Sequence, residues 1–451
     1  GAEPTLNTVE TEAAATVAAM LTEESKALPT ATSLPTETET PAPTVASTKT
    51  ATIVPSSTAT EEKPDTLAIV YIKDGNVVLW NTEDGPRVLT SNGDTLEACI
   101  SDDGTVVAYT RGDLMKPERL EIWAVDTGSQ PTPRVLVSAA DFKTLLAQSP
   151  FPTALALQLD QFVFRPGTHE VAFGTAPVFD GPGYLPLHDL HLVNADTLDK
   201  QTPFGFKQGG RFTFSPDGKR VALVRPDAIS LANYDGTGLV TNVITFPQII
   251  TYSEYQLHPQ PIWSPDSTSL RVVVPPADPL AEPQQPTQLW SMTADGAEKI
   301  LLATIFPAPF SWDPQAFAPD LSRVAYVQAA GEPTDNIRAL HLSKPDGSGD
   351  QVYDQGVSLV FLGWGLDSAH FAYMKFSETE TGLYLGSITG EPVKVASLPD
   401  LNWLGWVDAN RYLYAIKESG SWDLMLGDQA SETSKIIETL SAPIYTFDAI
   451  D

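Results

Sequence analysis

The sequence predicts an all-β fold, a β-propeller of four-stranded antiparallel blades, and three observations predict it. The first is a recurring motif: an apolar or aromatic residue, a tight polar turn, then a short alternating run, as in "FSPDGKRVAL" from Phe214. Other copies are "ISDDGTVVAY" from Ile100, "FRPGTHEVAF" from Phe164, "WSPDSTSLRV" from Trp263, "FAPDLSRVAY" from Phe317, "WGLDSAHFAY" from Trp364 and "WVDANRYLYA" from Trp406. Six of these seven anchors are aromatic against 9% for the whole chain, so the anchor is a feature of the repeat. The second is spacing. Successive anchors lie 64, 50, 49, 54, 47 and 42 residues apart, room for four short strands each. The third is a second polar turn in each repeat, as in "ISLANYDGTG", "QLWSMTADGA" and "ALHLSKPDGSG", followed by a fourth short strand such as "PRVLV" or "KILLA". Tandem four-stranded units of this kind are propeller blades.

Taken in order, residues 1–27 read as a helix. Leu6, Val9, Ala13, Val17, Met20 and Leu21 recur at spacings of three and four, which places them on one helical face. The face opposite is acidic, which argues against an anionic membrane surface. Residues 28–66 are dominated by Thr, Pro, Ser and Ala and contain no aromatic residue. Such a segment buries too little apolar surface to offset chain entropy, so it reads as an extended stalk or linker.

Residues 67–451 form the propeller. Ahead of the first anchor, "LAIVYIKDGNVVLWNTEDGPRVLT" supplies a second, third and fourth strand but no first one. The C-terminal "PIYTFDAID" is itself strand-like and supplies the missing inner strand, so the ring closes by pairing of the N- and C-terminal strands. Seven anchored blades plus this composite one make eight, at about 48 residues each. Seven blades, the alternative, would need about 55.

The turn "SPDGKRVA" with its preceding aromatic, together with the downstream "YDG" and "ADG" turns, resembles the TolB-type, WD-repeat-like propellers of bacterial envelope proteins. The resemblance implies a propeller exported to the cell envelope or extracellular surface. It does not imply one activity, because propellers host binding modules, enzyme gates and enzymes. The N-terminal "AAATVAAML" followed by the Thr-Pro stalk resembles the mature start of bacterial lipoproteins, where a lipidated Cys would precede Gly1. Gly1 equally fits ordinary signal cleavage.

Charge and motifs narrow the function. With 57 acidic and 27 basic residues the formal charge is -30, so nucleic acid is repelled over most of the surface. The single Cys99 sits among apolar residues and reads as a small buried hydrophobe. There is no G-x-S-x-G elbow, no H-E-x-x-H pair and no G-x-x-x-x-G-K-[ST] loop. His188 and His191 stand three apart on a strand, so they point to opposite faces and do not share a metal. The recurrent Asp-Gly pairs read as turns in which Asp bonds its own backbone, not as calcium loops. No metal and no cofactor is expected.

In a four-stranded meander the first and third turns of each blade share one face, and those turns are short here. The long insertions all fall on the other face. They include "GDLMKPER", "SAADFKTLLAQSPFPTALALQLDQ", "APVFDGPGYLPLHD", "FPQIITYSEYQLHPQP" and "TIFPAPFSWDPQ". The candidate binding residues on this decorated face are Phe179, Tyr184, Tyr252, Tyr255, Phe306, Phe310 and Trp312, with Ile249 and Ile250 as further apolar material. The expected function is a non-catalytic binding or scaffold module for protein or glycan at the cell surface, reaching the membrane only through an N-terminal lipid anchor. An alternative is a structural subunit of a larger assembly, its N-terminal segment docking on a neighbour. A propeller lyase or hydrolase is a third reading. It requires charged side chains converging at the channel, whereas the inner strands read as mainly apolar.

Overall fold

The computed structural model describes residues 67–450, apart from 114, 181–183, 250–255, 310, 312–315, 332–335, 378–380 and 445. The expected helix over 1–27 and stalk over 28–66 lie outside the described residues. Among the described residues the strands form eight antiparallel sheets, and the chain is an all-β, eight-bladed propeller. Blade 1 joins Ala68–Lys73, Asn76–Asn81 and Gly85–Val88 to the C-terminal strand Phe447–Ile450, which pairs with Ala68–Lys73 as the innermost strand. The expected closure of the ring by the two chain ends is therefore present.

Each anchor ends the innermost strand of its blade: Ile100 ends Thr95–Ile100, Phe164 ends Ala156–Phe164, Phe214 ends Arg211–Phe214 and Trp364 ends Val360–Trp364. In blade 6 the inner strand is a single bridge, Phe317 to Val324. The large anchors tie blades together. The Trp263 indole N–H donates to the Thr213 carbonyl at 3.1 Å and the Trp364 indole to the Ala316 carbonyl at 3.0 Å, each reaching the preceding blade.

Second strands read as unbroken buried runs, such as Val221 to Val224 and Phe371 to Met374. They do not alternate because a neighbouring blade covers both of their faces, as in sheets buried on two sides. Fourth strands face solvent, and Val240–Thr245 begins with three exposed residues.

The repeated turn is built as the sequence implies. In blade 4 the Ser215 hydroxyl donates to Asp217 Oδ1 at 2.6 Å and accepts from the Arg220 N–H, while Asp217 accepts from the Lys219 N–H. Ser264 and Asp266 repeat the arrangement in blade 5. Gly218 adopts φ +66° in this turn, and Ser267 and Ser368 hold the same place at φ 61° and 59°. These serines offset the strained backbone with a bond between blades, since their hydroxyls accept the N–H groups of Asp217 and Asp320 in the preceding blade's turn.

Hydrogen bonds from Ser215 and Lys219 hold the Asp217 carboxyl below its usual range, and Ser264 and Thr268 do the same for Asp266. A depressed folded pKa means that the stabilisation is present above the unfolded value of about 4 and is lost as pH falls through the lower folded value. Acidification also neutralises the large negative charge, which acts in the opposite sense. Comparison with an Asp217→Asn, Asp266→Asn double variant separates the two effects. The wild type is expected to lose its advantage over the variant between pH 5 and pH 2.5 in urea unfolding. Equal pH dependence of the two chains would refute the role assigned to these turns.

Two segments expected as loops are ordered instead. "GDLMKPER" is the end of a long hairpin, in which Val106–Asp113 and Lys116–Asp126 pair out to Asp113 and Lys116. The insertion after blade 2 contains a helix, Ala139–Gln148, before the inner strand of blade 3 begins at Ala156. Ser138 and Asp141 form a capping box at its start, with Asp141 Oδ2 accepting the Ser138 N–H at 2.8 Å. Phe142 is buried in the core, and Leu145 and Leu146 pack against it. Serine followed by an acid three residues on, then Phe, Leu and Leu at spacings of three and four, was the available signal.

Candidate functional site

Adjacent residues on a strand point to opposite faces. Blade 3 breaks that rule at its inner edge, where the pairing of Ala156–Phe164 with Glu170–Val178 shifts register between Leu159 and Gln161. Asp160 is the extra residue of this bulge. Asp160 and Gln161 consequently both turn to blade 4. Gln161 clamps the Phe212 backbone, accepting its N–H at 2.6 Å and donating to its carbonyl at 3.1 Å.

The Asp160 carboxylate, 5% exposed, receives the Arg211 guanidinium from two sides, Nη2 to Oδ1 at 2.7 Å and Nε to Oδ2 at 3.2 Å. The Tyr184 hydroxyl donates to Oδ1 at 2.6 Å. Burial, reinforced by the Asp160 charge, pushes the Tyr184 phenol well up, so it stays a donor at any ordinary pH. Burial opposes the Arg211 charge, and its bonds to Asp160 more than offset this.

Two histidines complete the cluster. His188 comes from the insertion within blade 3 and His258 from the connection between blades 4 and 5, yet their Nε2 atoms stand 3.0 Å apart. Burial depresses both imidazoles, and for His258 burial and the Arg211 charge bring the pKa down to about 4. Both rings are neutral at pH 7. A cleft of about 380 Å³ opens here, lined by Asp160, Gln161, Arg211, His258, Pro259 and Pro261. A second, of about 530 Å³, lies beside it and is lined by Phe151, Pro186, His188, Lys207, Arg225 and Gln256.

Of the residues expected on the binding face, Tyr184 belongs to the cluster. Phe179 packs edge-on against Phe151, ring centroids 5.7 Å apart, beside the second cleft. Phe306, 43% exposed, stands elsewhere, on the connection from blade 5 to blade 6. Ile249 is buried. Tyr252, Tyr255, Phe310, Trp312 and Ile250 lie outside the described residues.

The inner strands are mainly apolar, as expected, yet Asp160, Gln161 and Arg211 place charged or polar groups on two of them. Sequence reasoning missed them and His258. The signal was polar residues three or four places before an aromatic anchor, in "LDQFVF" and "RFTF". His188 and His191 do part company, as expected. His191 turns into the core, stacks on Phe173 at 5.0 Å and bonds Asp189 at 3.0 Å. Cys99 is buried, and burial pushes its thiol well up. Among the described residues no group of three or more His, Cys, Asp and Glu side chains is placed to hold a metal ion.

Comparison with family models and with curated protein sequences returned no match. Among solved structures the chain is similar to the β-propeller domain of the Trilobed protease from Pyrococcus furiosus, at 14% identity and TM-score 0.43, over 62% of this chain and 84% of that one. It is similar to TolB from Acinetobacter baumannii at 16% identity and TM-score 0.31, over 64% of each chain. It is also similar to the oligogalacturonate lyase of Vibrio parahaemolyticus at 12% identity and TM-score 0.43, over 76% of this chain and 84% of that one.

Proposed function

We propose that the chain is an exported, envelope-associated propeller that binds protein or glycan on its decorated face without covalent chemistry. One observation carries this reading. The cleft between blades 3 and 5 is walled by Pro259 and Pro261 and floored by an Asp160–Arg211 pair already locked by Tyr184 and the blade 3 bulge. Pre-ordered polar groups in a concave site are how small recognition sites obtain specificity at low entropic cost. The size suits a sugar ring or two, or a few peptide side chains.

The same geometry argues against catalysis in this cleft. Asp160 accepts from both Arg211 and Tyr184, so it is poorly placed to take a proton from a substrate, and His258 shares its Nε2 with His188. Among the described residues, the lining of the cleft includes no Ser, Cys or Lys.

Gln260 is exposed at the rim. The test is a Gln260→Trp variant, which fills the cleft mouth without touching the core. Immobilised full-length chain is probed with an oligosaccharide array and with cross-linked native envelope partners. Binding is expected to fall at least tenfold in the variant with the unfolding midpoint unchanged. Binding that survives Gln260→Trp but is lost in a chain starting at Asp65 would instead support an assembly subunit docked through its N-terminal segment.

A further inference from the structure

The turns after the anchors, on the face of short connections, carry a pattern that the propeller fold does not require. Each turn is closed by a backbone bond, Gly218 N–H to the Ser215 carbonyl, Ser267 to Ser264, Leu321 to Ala318 and Ser368 to Gly365. The second position of these turns is Pro216, Pro265, Pro319 and Leu366 in blades 4 to 7, whereas the corresponding turn of blade 2 has Asp102 there. Proline has a local reason at this place, since its fixed φ suits the second position of a turn. Leu366 has no such reason, and it is 57% exposed. Pro216 and Pro265 are exposed as well.

These four side chains surround one depression. A cleft of about 460 Å³ is lined by them, from four consecutive blades, and by the anchors Trp263, Phe317 and Trp364. Every residue of its lining among those described is apolar, which sets it apart from the cleft beside Asp160. It also lies at the other end of the inner strands, because Arg211 begins the strand that the anchor Phe214 ends. A contiguous apolar hollow with exposed walls marks an interaction surface. Covering prolines costs no side-chain entropy, and a concave seat of aromatic residues is where the anchor of an interface is held.

Charge selects the occupant. Asp217, Asp266 and Asp320 directly follow the three prolines and are exposed, and the third turns of the same blades, on the same face, present Asp235, Asp295 and Asp346. Hydrogen bonds within their own turns hold Asp217, Asp235, Asp266, Asp295 and Asp346 below the usual carboxylate range, so they stay ionised into mild acid. Among the described residues, Asp217 alone of the six is ion-paired, with Lys219 at 3.2 Å. An apolar seat with an acidic rim fits a basic chain that carries a bulky apolar residue. A second copy of this chain, at -30, is repelled. Residues 1–66, with ten acidic and three basic side chains, match the rim poorly for the same reason.

We propose that the cleft between Pro216, Pro265, Pro319 and Leu366 docks an extended segment of a partner protein in which a bulky apolar residue is flanked by lysine or arginine. The apolar residue seats over Trp263 and Phe317 between the prolines, and the flanking cations lie against the aspartates of the turns. Burial of the apolar residue supplies affinity, and the charges supply orientation and speed of association. The surface is separate from the cleft beside Asp160 and stands whether that cleft takes protein or glycan.

The test uses the full chain and a fluorescein-labelled synthetic peptide, Phe-Leu between two runs of lysine, followed by fluorescence anisotropy. Saturable binding is expected, at least tenfold tighter than for the same peptide with Gly-Gly at its centre or with glutamate in place of lysine, and weakening as salt is raised. Leu366→Gln is expected to weaken binding tenfold or more with the unfolding midpoint unchanged, and Pro265→Ser to weaken it severalfold. Met115→Gln, at an exposed apolar residue in the hairpin of blade 2, should leave it unchanged. The absence of saturable binding would overturn the proposal. Equal binding of the Gly-Gly peptide, or affinity indifferent to Leu366→Gln, would overturn it too and leave only diffuse attraction of a basic peptide to an acidic protein. Displacement of the probe by a synthetic peptide of residues 28–66 would assign the cleft to the chain's own N-terminal segment instead. Self-association of the chain that Leu366→Gln abolishes would assign it to a second copy.

Discussion

Removal of residues 446–451 is expected to lower the free energy of unfolding by about 3 kcal/mol or more and to make the propeller self-associate beyond the state of the full chain. The closing strand Phe447–Ile450 obeys the two-residue period of a strand and feeds two cores at once. Phe447 and Ala449 pack against the cluster that includes Ile69, Tyr71 and Leu413. Ile450 packs against the cluster of Val70, Ile100 and Tyr109. Blade 2 is fitted around Ile450, since a Cβ on Gly104, at φ +71°, would lie 2.6 Å from Ile450 Cδ1. Asp448 Oδ2 accepts the Ile100 N–H at 2.8 Å, so the strand also ties blade 1 to blade 2.

Without this strand, Ala68–Lys73 becomes a free edge that carries the fully buried Ile69, Val70 and Tyr71. An unpaired apolar edge is a template for another chain. Size-exclusion chromatography and urea unfolding of the truncated chain test both effects. Added peptide covering residues 443–451 should restore the elution volume of the full chain. A truncated chain that elutes as the full chain does, with an unchanged unfolding midpoint, would show that closure adds little to the stability of the ring.

The blade architecture was legible because each unit states it again. An apolar or aromatic anchor, a tight polar turn and an apolar second strand recur in the seven anchored blades with the same physical cause each time, and the composite first blade follows from counting which strand is missing. The cluster around Asp160 and Arg211 is not periodic, and so it was largely hidden. Arg211 reads as an ordinary strand start until a bulge 51 residues earlier turns Asp160 towards it. His188 and His258 are 70 residues apart in sequence, and only the curvature from blade 3 to blade 5 brings their rings together. Tyr184 was identified as surface aromatic material, and its hydroxyl proved to matter through a partner that the sequence did not indicate. The capped helix at Ala139–Gln148 was different in kind. Its signals were local and sufficient, and the expectation of a loop between blades obscured them.

Substitution of Asp189 by Ala is expected to destabilise the protein by roughly 3–5 kcal/mol, the largest effect of any single side chain among those discussed. Its carboxylate is fully enclosed, and it accepts the Thr175 N–H at 2.7 Å, the Thr175 hydroxyl at 2.6 Å and the His191 Nε2–H at 3.0 Å. Alanine would strand all three donors in the core between the second and third strands of blade 3. Desolvated groups left without partners dominate such losses, so the effect exceeds that of any one hydrogen bond. Asp189→Asn keeps the shape and one acceptor oxygen but presents its amide to a donor, and a smaller loss of about 1–3 kcal/mol is expected. Urea unfolding of the two variants orders these outcomes. Losses under about 1 kcal/mol for both would mean that water replaces the carboxylate and that the network does not hold blade 3 together.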